Sequence, residues 1–290
     1  MHEALSTYTS FRIGGPADYY LEPADKDDVV QVVKYLQREN IPFVMIGSGS
    51  NLLISDEGIR GAVINLEAGL SKLVADGNTV VAEAGVKMAK FVDFCIQRGL
   101  GGVEMLPGIP GTIGGAIIMN AGAYGGEISD HLVEVEVVRD GNVVVVKKSD
   151  AGFAYRRSGF RGDIVLSAKF AFPPREKAEL MKRRRELLIK RNQSQPLNLP
   201  NSGSVFKNPA GTFAAKMIEE AGLKGKTVGG AKVSEKHGNF IVNMGKASAT
   251  DVLALIRLAR STVAARFGTK LELEVKLLGF PETVYKEFSA

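Results

Sequence analysis

Apolar positions recur along this chain in two rhythms, and each rhythm marks a kind of element. Residues 18–21, 43–46, 52–54, 62–66, 79–83, 132–138, 143–146, 164–172, 240–243 and 271–277 are short runs, apolar throughout or alternating, and read as strands. Residues 27–39, 88–98, 177–191, 213–221 and 249–267 return at helical spacing, the first with Val29, Val30, Val33 and Leu36 on its inner face. The punctuation agrees. Pro42 disfavours helical geometry at Ile41 and blocks the first helix. Gly99, Gly222 and Gly268 stand where helix ends favour a left-handed residue. Ser248 with Asp251 has the spacing of a capping box, and Arg139-Asp140-Gly141-Asn142 that of a hairpin turn. Strands and helices mix without strict alternation, so the expected class is α+β.

At roughly 150 residues per domain, 290 residues suggest about two. Residues 1–68 and 69–174 read as two successive segments, the second ending at Pro173-Pro174. Residues 175–200 form a basic helix and a connector, and 201–290 a further domain. The boundary is placed in the polar, proline-bearing stretch 192–200.

Charge refines this only mildly. Lys plus Arg number 37 against 32 Asp plus Glu, and the excess gathers in 177–191. There Leu180, Leu187 and Leu188 share a helix face and Glu186 precedes Lys190 by one turn. This reads as a surface helix with a solvated basic face. No aromatic or base-reading pattern accompanies it, so nucleic acid is not an expected partner. A place beside an anionic small substrate, where positive charge assists capture, stays open. No apolar run reaches the ~18 residues of a membrane span. Residues 1–20 lack the basic start and apolar block of an export signal. The expectation is a cytoplasmic protein without membrane insertion. The single Cys95 excludes an internal disulfide and, with three histidines, argues against a zinc site.

Glycine changes the picture more. It supplies 33 residues, about 11% against a usual ~7%, and it clusters. Gly47-Ser48-Gly49-Ser50-Asn51 follows an apolar strand, where a dinucleotide fingerprint would sit. The third glycine and following helix of that fingerprint are missing, because Leu52-Leu53-Ile54 continues as an extended run. Such a loop still presents successive N–H groups as an anion nest, with Ser48, Ser50 and Asn51 adding donors; a plain tight turn is the alternative. The second cluster runs from Leu106 to Gly126 and opens a short helix at Thr112. Its glycines permit close approach of backbone to a bound group, although a core crossing would use them too. Two backbone-lined clefts suit a long ligand with a diphosphate in its middle.

These two clusters, with residues 9–15, 154–158, 202–209, 229–237 and 271–275, resemble the UDP-N-acetylenolpyruvoylglucosamine reductase family, flavoenzymes that make UDP-N-acetylmuramate for bacterial peptidoglycan. The resemblance runs in order through essentially the whole chain. It implies an FAD-binding module of the vanillyl-alcohol-oxidase kind in two subdomains, 1–68 and 69–174, and an α+β substrate-binding domain over 201–290. The implied FAD contacts are Gly47, Ser48, Gly49, Ser50, Asn51 and Leu52, then Pro107, Gly108, Gly111, Thr112, Gly114, Gly115, Ala121 and Gly122. None of His2, His131 and His237 lies in these loops, so non-covalent FAD is expected.

The implied reaction has two halves. NADPH reduces FAD and leaves; hydride then passes to the methylene carbon of the enolpyruvyl group of UDP-N-acetylglucosamine enolpyruvate, and an acid protonates the carbon beside the carboxylate. Ser204 matches the family's proton donor, and Arg156 and Glu274 its other catalytic residues. Arg156 suits bidentate recognition of the substrate carboxylate, and Glu274 the orientation of that end or of a proton network. Tyr155, Lys207, Asn208 and His237 match substrate-side positions. From pattern alone, Ser204 is a turn residue, Arg156 a surface cation, and Glu272 and Glu274 share a solvated strand face. Some members carry, between the catalytic arginine and serine, an insertion whose tyrosine closes over the substrate. No tyrosine lies between Arg156 and Ser204, so the chain resembles the shorter subtype. Another FAD-dependent oxidase or dehydrogenase is the alternative, and it gives no reason for the Arg156, Ser204 and Glu274 set. A monomer is expected.

Overall fold

The computed structural model describes residues 3–160 and 162–289; His2 lies outside the described residues. The chain divides into two units. Unit A comprises Tyr20–Ser48 and Ala62–Arg191, and unit B comprises Met1–Tyr19, Gly49–Gly61 and Asn192–Ala290.

Unit A is organised by an antiparallel sheet in the order Asn142–Lys147, Leu132–Arg139, Ile164–Ala171, Thr79–Glu83, Leu73–Asp76. The middle strand is buried along almost its whole length, which explains why it is apolar apart from Ser167 and Lys169. The Leu132–Arg139 hairpin turns through Asp140 at φ 49° and Gly141 at φ 73°, the two left-handed residues of a tight type I′ turn. The Leu73–Asp76 edge strand escapes the sequence reading because it is mostly exposed and carries no apolar period.

Helix α1 (Lys26–Arg38) buries Val29, Val33 and Leu36. Helix α2 (Met88–Gln97) sets Phe91 against Phe170, ring centroids 4.9 Å apart. The short α3 (Ile113–Met119) lies along Ile164–Ala171 and Thr79–Glu83. The basic helix α4 runs further than its charge pattern implies, over Lys177–Ser194, and buries Arg191 as well as Leu180 and Leu187. Phe43–Ile46 pairs in parallel with Ile59–Asn65 and delivers the chain to Gly47.

Unit B packs helices α5 (Ala214–Glu220), α6 (Ala249–Phe267) and α7 (Glu282–Phe288) with a three-stranded sheet of Thr227–Val228, Ala231–Val233 and Ile241–Asn243. Leu52–Ile54 pairs in parallel with Lys276–Leu278. Residues 271–277 are not one strand. Leu273 makes a single bridge to Phe206. The N–H groups of Glu274 and Val275 then both turn to the Val205 carbonyl, at 2.9 and 3.3 Å. Two donors on one acceptor interrupt the alternation that would put Glu272 and Glu274 on one face.

The start of α6 is secured twice. Ser248 Oγ accepts the Asp251 N–H at 3.0 Å while the Asp251 carboxylate accepts the N–H groups of Ser248 at 3.0 Å and Gly230 at 3.1 Å. Asp56 accepts the N–H groups of Ala249 at 2.7 Å and Thr250 at 3.0 Å, satisfying donors that a helix leaves open. The Ser248 N–H, then that of Gly230, holds the Asp251 carboxyl below its ordinary pKa. A depressed carboxylate contributes stability above its unfolded pKa of ~3.9, and that contribution is lost as pH falls through the lower folded value. Asp251→Ala should therefore cost about 1 kcal/mol in urea unfolding at pH 7. The difference from wild type should shrink below about pH 4; a constant difference would remove the charged form from the cap.

Candidate active site

The first glycine loop is held against its own protein before any ligand is considered. A Cβ on Gly47 would stand 2.3 Å from Thr112 Oγ1, so glycine lets the two glycine clusters meet. Ser48 donates its hydroxyl to Glu67, whose other oxygen lies 3.6 Å from Lys87 Nζ. Gly49 is left-handed at φ 57°, and a Cβ there would lie 2.1 Å from the Tyr8 carbonyl oxygen. The carbonyls of Gly49 and Asn51 accept the N–H groups of Ser10 at 3.2 Å and Lys276 at 2.9 Å. Asn51 Nδ2 donates to the Glu274 carbonyl at 3.2 Å. Ser48 and Asn51 thus give donors to the protein, and an anion here depends on the loop's backbone N–H groups, the polarity of a nest.

The second cluster contains the expected short helix, with Thr112 as its cap, but the first-turn donors are already committed. Ile113 N–H goes to the Val86 carbonyl at 2.9 Å and Gly114 N–H to that of Ala84 at 2.8 Å. The 84–86 segment runs close enough to cap α3, which removes the free N-terminus that the glycine pattern suggests. What remains open is a face. Gly115 is exposed, and a Cβ there would meet only Thr112 Oγ1, at 3.7 Å. Gly108 backs onto Arg191 and Leu188 of α4. Pro107 is buried, Gly111 gives its carbonyl to Met88 N–H at 3.0 Å, and Ala121 takes up Ile128 N–H at 2.8 Å.

Arg156 stands in a tight turn closed by reciprocal bonds between Ala154 and Arg157, at 3.1 and 3.0 Å. It is left-handed, φ 55°, an unusual conformation for a residue with a Cβ. Its Nη2 donates to the Gly122 carbonyl at 2.9 Å and its guanidinium lies 4.8 Å from the Tyr155 ring centroid. Around it Asn120 Nδ2 donates to the Ala154 carbonyl at 3.2 Å, and Ser158 Oγ to that of Ile118 at 3.0 Å. The end of the second glycine cluster therefore carries the arginine turn, and Tyr155 is exposed beside it.

In unit B the structure brings Ser204 and Glu274 together through the backbone, since the Glu274 N–H is bonded to Val205. Ser204 is half-buried and follows Gly203, left-handed at φ 76°, whose N–H closes a turn on Asn201 Oδ1 at 2.9 Å. Asn239, which the sequence reading misses, is buried and clasps this segment. Its side chain accepts the Phe206 N–H at 2.9 Å and donates to the Phe206 carbonyl at 2.7 Å. Its own carbonyl takes the Val205 N–H at 2.9 Å. Lys207 pairs with Glu272. Asn208 Oδ1 accepts the Ala214 N–H at 3.1 Å at the start of α5, leaving its amide hydrogens toward solvent or a ligand. His237 is half-buried, edge-on to Phe240 at 4.7 Å, and burial, then Lys224, pulls its pKa below the ordinary imidazole value.

Residues 17–147 match the model of an FAD-binding domain, and residues 195–278 that of the C-terminal domain of UDP-N-acetylenolpyruvoylglucosamine reductase. With its α+β fold, the chain is a flavoprotein oxidoreductase whose cofactor is FAD. The residues present fit that group: Gly47 packs against Thr112 at the second glycine cluster, and Cβ space is open there at Gly115. A UDP-N-acetylenolpyruvoylglucosamine reductase of Chloroherpeton thalassium is 49% identical over 98% of this chain and 94% of its own length. Reductase 2 of Symbiobacterium thermophilum is 46% identical over 96% and 91%. The crystal structure of the reductase from Thermus caldophilus superposes with a TM-score of 0.84 at 37% identity, covering 95% of this chain and 97% of that one. The chain belongs to the UDP-N-acetylenolpyruvoylglucosamine reductase family.

The two glycine environments separate experimentally. In flavin-free protein, Gly49→Ala should lose at least about 1–2 kcal/mol because it forces a side chain into left-handed geometry against the Tyr8 carbonyl. Gly115→Ala should gain about 0.5–1 kcal/mol by stiffening the unfolded chain. Urea titration of both checks this; equal effects would contradict the difference in packing.

Proposed function

We propose that the chain catalyses NADPH-dependent reduction of UDP-N-acetylglucosamine enolpyruvate to UDP-N-acetylmuramate, in the cytoplasm. The observation that carries this reading is 49% identity to a reductase of that name over 98% of the chain. Bound FAD, reduced by NADPH, supplies the hydride that goes to the methylene carbon of the enolpyruvyl group. The chain's own residues do the rest. Addition of hydride builds negative charge on the carbon beside the carboxylate, and Ser204 delivers the proton there. A serine hydroxyl is a weak acid, adequate here because a carbanion-like centre is a strong base and the donor is held in place. Arg156 binds the substrate carboxylate and offsets its growing charge. Glu274 orients that end of the substrate.

Lys207, Asn208, His237 and Tyr155 hold the UDP-sugar. The amide hydrogens of Asn208 support this, since only its oxygen is used at α5, and the depressed basicity of His237 favours a neutral imidazole that can accept a hydrogen bond. The loops hold FAD without a covalent bond. His131 packs at a tilt against Phe172, ring centroids 5.1 Å apart, and a Cβ on Gly102 would strike its ring, so that imidazole is occupied by packing.

The test separates the two half-reactions in the flavin-loaded enzyme by stopped-flow absorbance. Ser204→Ala should be reduced by NADPH at close to the wild-type rate. Its reoxidation by the enolpyruvyl substrate should slow by ~10²–10⁴-fold, the usual contribution of a positioned acid. Arg156→Lys should impair the same half, because a point charge does not reproduce bidentate recognition. Equal slowing of both halves in Ser204→Ala would indicate a damaged flavin site, and unchanged reoxidation would make Ser204 a turn residue.

A further inference from the structure

The Arg156 turn has no sheet or helix to fix it, so something else must hold a left-handed arginine in one orientation. Asn120 is placed to do so. It is 1% exposed and ends α3 in left-handed geometry at φ 43°. Its Nδ2 donates both to the Glu127 carboxylate at 2.6 Å and to the Ala154 carbonyl, which opens the turn, at 3.2 Å. Both partners are pure acceptors, so the amide can face them in only one way. Glu127 is in turn paired across two short strands with Gly122, whose carbonyl takes the Arg156 guanidinium. A closed circuit, Glu127 to Asn120 to Ala154 to Arg156 to Gly122, thus returns to its starting strand pair.

We propose that Asn120, oriented by Glu127, is a positioning residue that sets the Arg156 guanidinium for the substrate half-reaction. This rests on the reading of Arg156 as the carboxylate-binding residue. Capping alone does not account for the arrangement, because a left-handed cap needs only a residue that tolerates φ > 0, whereas the two side-chain bonds need an amide.

That difference supplies the test. Asn120→Gly keeps the left-handed cap and deletes the amide; Asn120→Asp keeps the size and sets a carboxylate against Glu127 and the Ala154 carbonyl. In flavin-loaded protein, both should retain wild-type flavin loading and reduction by NADPH. Reoxidation by the enolpyruvyl substrate should slow on the order of 10–10²-fold, the scale of a small misplacement of a catalytic group. The double variant Asn120→Gly/Arg156→Ala should reoxidise no more slowly than Arg156→Ala, since the two act as one unit. Wild-type reoxidation in both Asn120 variants, multiplicative losses in the double variant, or loss of flavin from both would overturn the proposal. Wild-type reoxidation in Arg156→Ala would instead overturn the reading of Arg156, and the positioning role with it.

Discussion

A backbone N–H or carbonyl taken out of water must find a partner, and where the chain is neither helix nor strand that partner comes from a side chain or from another irregular backbone segment. The candidate reactive residues lie on such irregular chain. Val205 and Phe206, just after Ser204, are clasped by Asn239, and Ala154, just before Arg156, is held by Asn120. Leaving one of these buried groups unmet would cost about 1–3 kcal/mol. The bonds that satisfy the backbone therefore also fix where the chemistry points. Asn239 uses both the donor and the acceptor of its short side chain, whereas Asn120 uses its amide nitrogen to donate to two acceptors.

The glycines obey the same economy of space. At Gly47 and Gly49 the volume a Cβ would need is already taken by Thr112 and by the Tyr8 carbonyl. These glycines serve close packing of the protein on itself, and the face at Gly115 is left open. The proposed roles then divide by kind of chain. Backbone binds the cofactor, while charged and hydroxyl side chains on clasped turns handle the substrate.

Much of this was legible in the residues. The pattern locates Ala249–Phe267, its capping box and its terminal glycine, the Asp140-Gly141 hairpin and the strands Phe43–Ile46, Leu52–Ile54 and Thr79–Glu83, because each depends on local chemistry. The α+β class and the family follow from the same residues. Features set by distant partners were not legible. The break at Glu274 comes from Val205, far away in sequence, and the capping of α3 by residues 84–86 leaves no mark in the helix itself. Asn120 and Asn239 look like ordinary turn or loop residues until their partners are in place. Arg191 continues the Leu180 and Leu187 stripe but carries a charge, so a reading by hydropathy puts it outside.

In the proposed reaction NADPH and the enolpyruvyl substrate react in separate halves, linked only through the flavin. Initial rates measured over a grid of both concentrations test it most directly. Double-reciprocal plots should form parallel lines, the signature of a reaction in which the first partner leaves before the second reacts. Lines that intersect would show both substrates bound together before any chemistry and would contradict the account.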